Sequence, residues 1–140
     1  MAKNFNGTQI NQSVTIVETA GADIADVRNR IMAYDENGNV VLASKGTDIP
    51  VGVALIEAGI NDISGENSGK VVTGDDVDIQ IKDIGYVIAS EAITKGQEVA
   101  AGADGLAVPA KAGDYVIGFA LRSAEKDGYC RVQISKYQKN

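Results

Sequence analysis

Hydrophobic and polar positions along the chain fall into two regimes. Residues 1–12 are polar and rich in Asn and Gln, with Phe5 and Ile10 as apolar anchors, and read as an N-terminal arm rather than core. Ser13-Val14-Thr15-Ile16-Val17-Glu18-Thr19 is β-branched at nearly every position, which suits a pleated, half-buried strand. Over 20–30 the spacing of Ile24, Val27 and Ile31 fits one face of a short helix, with Asp23 available near its start. From Ile31 onward the pattern is one of short strands punctuated by turns. Ile31-Met32-Ala33-Tyr34 and Val40-Val41-Leu42-Ala43 flank Asp35-Glu36-Asn37-Gly38-Asn39, where Asn-Gly supplies the positive φ a tight hairpin needs.

The chain then repeats itself. Residues 40–55 return as 106–121, with Lys, Asp, Gly, Ala and Leu at matching positions (Lys45 and Lys111, Asp48 and Asp114, Gly52 and Gly118). Each copy leads to an alternating strand, Val77-Asp78-Ile79-Gln80-Ile81 and Cys130-Arg131-Val132-Gln133-Ile134. The stretch 58–74 is rich in Gly, Asn, Ser and Asp and has no counterpart of similar length in the second copy, so it is expected to be a surface loop. The expected fold is mostly β, with duplicated small β-barrel or sandwich modules and a short N-terminal helix. The expected division is an arm at 1–12, a first β subdomain at 13–89 and a second at 90–140.

Composition narrows the functions. A net charge of −6 and a pI near 4.6 argue against a phosphate-backbone binder, which needs clustered Lys and Arg, so no nucleic-acid partner is expected. No apolar run approaches the length of a membrane helix, the N-terminus lacks a signal-peptide core, and no membrane partner is expected. With no histidine, there is no Ser-His or Cys-His nucleophile pair and no imidazole ligand for zinc. The carboxylates show no spacing that singles out a catalytic pair, and neither a phosphate-binding loop nor a dinucleotide fingerprint is present. Asp75-Asp76-Val77-Asp78 could offer oxygens to calcium but lacks the Gly turn and distal Glu of a calcium loop. Cys130, the single cysteine, reads as a small buried hydrophobe. The chain is expected to be no enzyme, with no catalytic residue, cofactor or metal.

Two binding readings stand beside this. Ile93-Thr94-Lys95-Gly96-Gln97-Glu98-Val99 has the flavour of a biotinyl or lipoyl carrier domain, yet Lys45 and Lys111 lie in Ser-Lys-Gly and Ala-Lys-Ala rather than in a modifiable-lysine hairpin. An adhesion or display module binding a glycan or host protein through the 61–68 loop is the other.

The duplicated pattern, together with Asp23-Ile24-Ala25-Asp26-Val27, Pro50-Val51-Gly52-Val53-Ala54-Leu55 and Ile117-Gly118-Phe119-Ala120-Leu121, resembles the decoration, cement or head-fibre-base proteins of tailed-bacteriophage capsids. The resemblance implies a structural protein made in the bacterial host cytoplasm that binds the outside of the assembled head and stabilises it. The partners it implies are the major capsid protein lattice and two further copies of the chain, as a homotrimer. The family motif fixes no contact residue; Phe5 and Ile10 of the arm are the candidate capsid or subunit contacts.

Overall fold

A computed structural model describes residues 14–140, and ten strands account for most of their regular structure. They are β1 (Thr15–Thr19), β2 (Ile31–Tyr34), β3 (Val40–Leu42), β4 (Pro50–Ala54), β5 (Asp76–Gln80), β6 (Ile84–Ile88), β7 (Glu98–Ala101), β8 (Ala107–Pro109), β9 (Tyr115–Ala120) and β10 (Tyr129–Gln138). Two five-stranded antiparallel sheets result, in the orders β1-β5-β4-β2-β3 and β6-β10-β9-β7-β8. The second order is the first with every label raised by five, so the duplication read in the sequence is a duplication of topology.

The correspondence extends to single residues. The outer strands of each sheet are drawn together by a parallel bridge, Ala20 to Val40 in the first module and Ala89 to Ala107 in the second, which curls each sheet toward a small barrel. Ile24 bridges Val71 as Ile93 bridges Ala124. The register of β4 skips Val51 against β2, and that of β9 skips Ile117 against β7, so each module carries a bulge at the same place. Tight turns mark the β2–β3 and β7–β8 connections. In the first, Gly38 has φ +79° and the Asp35 carboxylate accepts the amides of Asn37 and Asn39.

The short helix expected over 20–30 does not form. Ile24 and Val27 are buried as their spacing required, but their amides bond to Val71 and Gly69 across the module rather than to carbonyls four residues back. Asn29, at φ +56°, then turns the chain into β2. The strand Ile84–Ile88 lies in the second sheet, so sheet membership changes ahead of the division at residue 89 expected from the sequence.

The first module encloses a core that includes Met32, Val40, Val77 and Ile79. The second encloses Val87, Val99, Ile117, Cys130 and Val132, and Ile31, Ala33, Ala43 and Val53 of the first module join that same cluster. The two modules are therefore fused through one continuous apolar layer.

Candidate binding surfaces at the module junction

The junction is built from backbone groups left over by the two sheets. Ile88 donates to the carbonyl of Asn29 (3.2 Å), Gly105 to Ala43 (2.7 Å) and Tyr115 to Gly46 (2.7 Å). Side chains complete it. The Asn29 Nδ2 donates to Tyr86 (3.0 Å), an Arg30 guanidinium nitrogen to Asp104 (2.9 Å), and Lys136 Nζ to the carbonyl of the bulged Val51 (2.7 Å). Partial burial pushes the Lys136 amine below its ordinary pKa. Close approach dictates two glycines here. A Cβ on Gly46 would lie 2.3 Å from the Asp114 carboxylate, and one on Gly105, which also has φ +69°, would lie 2.7 Å from the Ile31 carbonyl.

The packing of module on module is head to tail, because the surfaces that meet are different parts of the repeated unit. The first module contributes its 43–46 loop and the face bearing Ile31, Ala33 and Val53. That loop meets the second module at Asp114 and Tyr115, and Ser44, Lys45 and Gly46 line a recess there together with Ala101, Val108, Pro109 and Asp114. The residues matching that recess in the first module are Tyr34, Val41, Leu42 and Asp48, and there they line an open groove of about 670 Å³ that also includes Ile16, Ile49 and Ile81. Ile49 is a large apolar side chain 64% exposed in this groove. At the other end of the chain, the second module's copy of the inserting surface is partly open, although Ala100, the match of Ala33, is fully buried. Its loop 111–113 is exposed, and Glu98, Ala110 and Phe119, which match Ile31, Ala43 and Val53, are half-buried. Lys139 and Tyr137 both bond to Glu98 and hold its carboxyl below the usual range.

A second groove of about 380 Å³ runs along the junction between Tyr86 and Tyr129 of the second module and residues 53–57 of the first, with Asn29 and Gln80 also lining it.

Phe5 and Ile10, the contact candidates of the arm, lie outside the described residues. The 61–68 loop is closed at its base by the Ile60 amide on Lys70 (3.0 Å) and the Gly69 amide on Ile60 (2.7 Å). Inside it, the Asp62 carboxylate accepts from the Ser64 hydroxyl (2.8 Å) and amide (3.0 Å) and from the Asn67 amide (3.2 Å); these bonds, the Ser64 hydroxyl foremost, hold it below the usual carboxylate range. The side chains of Asp62, Ser64, Asn67 and Ser68 are thus engaged within the loop. In the acidic run, Asp75 accepts the Val72 amide (2.9 Å), and Asp76 and Asp78 project from β5 on the side opposite the buried Val77. Among the described residues no group of three or more His, Cys, Asp or Glu side chains is placed to hold a metal ion, and no helix is long and apolar enough to cross a membrane. Cys130 is buried, and burial pushes its thiol pKa up, away from the reactive thiolate. Sequence reasoning missed Asn29, Gly46, Tyr86, Tyr129 and Lys136; the signal for Asn29 was its alignment with Gly96, which also has positive φ.

No family model matches the chain, and no curated protein matches it. Among solved structures the fold is similar to that of the N base of head fiber gp8.5 of bacteriophage phi29, with a TM-score of 0.65 and 24% sequence identity over 92% of this chain and 99% of that one. The likeness is one of fold, and it spans both modules.

Proposed function

We propose that the protein is a structural component of a bacteriophage head that binds the outer surface of the assembled shell as a homotrimer and stabilises it, without catalytic turnover. The fold likeness to a head-fibre base, spanning both modules, carries this reading. The residue-level duplication and the resemblance drawn from the sequence support it.

The trimer rests on the unfilled groove around Tyr34, Ile49 and Ile81. Within one chain the matching part of the second module is met by the first module's loop, whose Gly46 carbonyl accepts the Tyr115 amide beside Asp114. Between chains, the 111–113 loop and the Phe119 face of one copy enter the first-module groove of the next, repeating the intrachain contact. A head-to-tail contact of this kind closes a ring when its rotation allows. Three chains then present six modules in alternation. Charge favours that alternation: residues 14–82 carry twelve acidic and five basic side chains, while 83–140 carry seven of each, so first modules repel one another and not second modules. Attachment through three copies raises affinity for the shell without any single large apolar patch.

The test mixes purified protein with capsids lacking it, sediments the particles and compares their thermal rupture. Saturable co-sedimentation with a raised rupture temperature is the expected result. Binding that leaves rupture unchanged favours a display or adhesion role, and absence of co-sedimentation overturns the capsid reading.

A further inference from the structure

The 380 Å³ groove at the module junction brings together three side-chain acceptors, on Asn29, Gln80 and Glu57. Asn29 is 6% exposed; its Nδ2 is committed to the Tyr86 carbonyl at 3.0 Å, and its Oδ1 is buried with no partner. A buried acceptor left this way calls for a donor. Gln80, 8% exposed, spends its Nε2 on the carbonyls of Lys82 (2.8 Å) and Ile84 (2.7 Å), so its oxygen is what remains to a guest. Glu57 sits exposed at the rim and, as a carboxylate, accepts only. A donor group on a guest would satisfy these acceptors, and the Tyr86 and Tyr129 hydroxyls are the other polar side-chain groups of the lining.

The walls define the rest of the guest. Val53, Leu55 and Ile56 offer aliphatic surface on one side, and the rings of Tyr86 and Tyr129, 44% and 52% exposed, stand on the other. Aliphatic walls suit a methylene stem, and tyrosine faces suit a cation above them. Arg28, which lines a neighbouring recess with Glu57, is held by Asp26 through two bonds of 2.9 Å, and among the described residues Glu57 makes no ion pair. Arg131, across from Tyr86 on β10, does not line the groove. The acidic excess of the first module adds a field of the same sign.

We propose that this groove is a receptor for an arginine side chain carried by a segment of a partner protein, with the guanidinium pairing with Glu57, stacking on the tyrosines and reaching the buried Asn29 Oδ1 through a shift of the groove wall. Arginine fits better than lysine because its planar head stacks and spreads several donors over separated acceptors. The inference does not depend on the capsid reading, and it is tested on the protein alone.

The full chain, isotope-labelled, is titrated by NMR at low salt with the peptide Gly-Arg-Gly and with its neutral citrulline and norleucine counterparts. Saturable shifts are expected at the Asn29 side-chain amide, Leu55, Ile56 and Tyr129 with the arginine peptide, and binding about tenfold weaker with citrulline. Glu57→Gln is expected to weaken binding, and Asn29→Gly to abolish saturation while the spectrum stays folded, because the matching Gly96 shows that glycine serves at this left-handed position. No saturable shift, or equal binding of all three peptides, overturns the proposal. So does undiminished binding by the folded Asn29→Gly variant.

Discussion

Gly52 and Gly118 are one residue of the fold, written twice. Each follows the bulged position of its module, and a Cβ there would lie 2.2 Å from the Gln80 carbonyl in the first case and 2.0 Å from the Gln133 carbonyl in the second. Gln80 and Gln133 are themselves matching residues, so the close passage of one backbone over another is part of the repeated unit.

Alanine at either glycine must therefore push two strands apart. Gly118→Ala is expected to destabilise the fold by about 1–3 kcal/mol or more, as overpacking against unyielding backbone does. Gly52→Ala should behave alike, with Ile79 as a further obstacle at 2.8 Å. Denaturant midpoints of the two variants, read against the wild type, check this; a wild-type midpoint for both would contradict the geometry.

Ile49 is the side chain through which the open groove is most easily spoiled. Ile49→Asp places a carboxylate where the proposed trimer would seat the neighbouring subunit's Phe119 face, and the mutant is expected to sediment as a monomer where the wild type sediments as a trimer. Because Ile49 is mostly exposed, the subunit's own fold should be nearly unchanged. Analytical ultracentrifugation and circular dichroism separate the two effects. Ile63→Asp, at the tip of the 61–68 loop, serves as the control that leaves the assembly intact.

Gly105 holds the modules together at a point where both space and φ exclude a side chain. Gly105→Ala should cost about 1–3 kcal/mol through strain and the clash with Ile31. The loss should appear as a separation of unfolding into two steps, since the substitution loosens the junction and leaves each barrel whole. Thermal unfolding followed by calorimetry distinguishes this from a single lowered transition.

Acid should weaken the protein in a defined window. The Arg28 guanidinium bonds both oxygens of Asp26 and holds its carboxyl below the ordinary value of 3.8, with partial burial opposing. The folded state thus binds that proton more weakly than the unfolded chain. The bridge contributes stability above the ordinary value and loses it as pH falls through the folded value. With both side chains about a third exposed, the contribution at neutral pH is about 0.5 kcal/mol. Asp26→Asn should lower stability slightly at pH 7 and flatten the decline below about pH 4, as measured by melting temperature across a pH series.

Much of this architecture is legible in the residues. The hairpin around Asn37-Gly38 and the pairing of Gly52 with Gly118 follow from local turn chemistry and from internal repetition, both of which a single sequence displays. The alignment of 77–81 on 130–134 holds residue for residue, because alternating burial fixes register. The helix expected over 20–30 fails for a nonlocal reason: Ile24 finds its hydrogen-bond partner in Val71, far along the chain, and periodicity carries no information about such a partner. The grooves were invisible for the same kind of reason. Tyr86 and Tyr129 look scattered along the chain and meet only because β6 and β10 are neighbours, and the chemistry of Asn29 depends on which of its atoms the Tyr86 carbonyl occupies.

The longest strand has a mechanical consequence. β10 runs ten residues between β6 and β9, with Tyr129 opposite Ile88 at one end and Gln138 opposite Tyr115 at the other. A load applied to the chain at Gln138 pulls this strand along its own axis, so the transverse bonds of both ladders resist together in shear instead of opening one at a time like a zipper. The Lys136 contact to Val51 passes part of that tension into the first module. A pull on Gln138 is thus shared between two ladders and, through Lys136, between two modules.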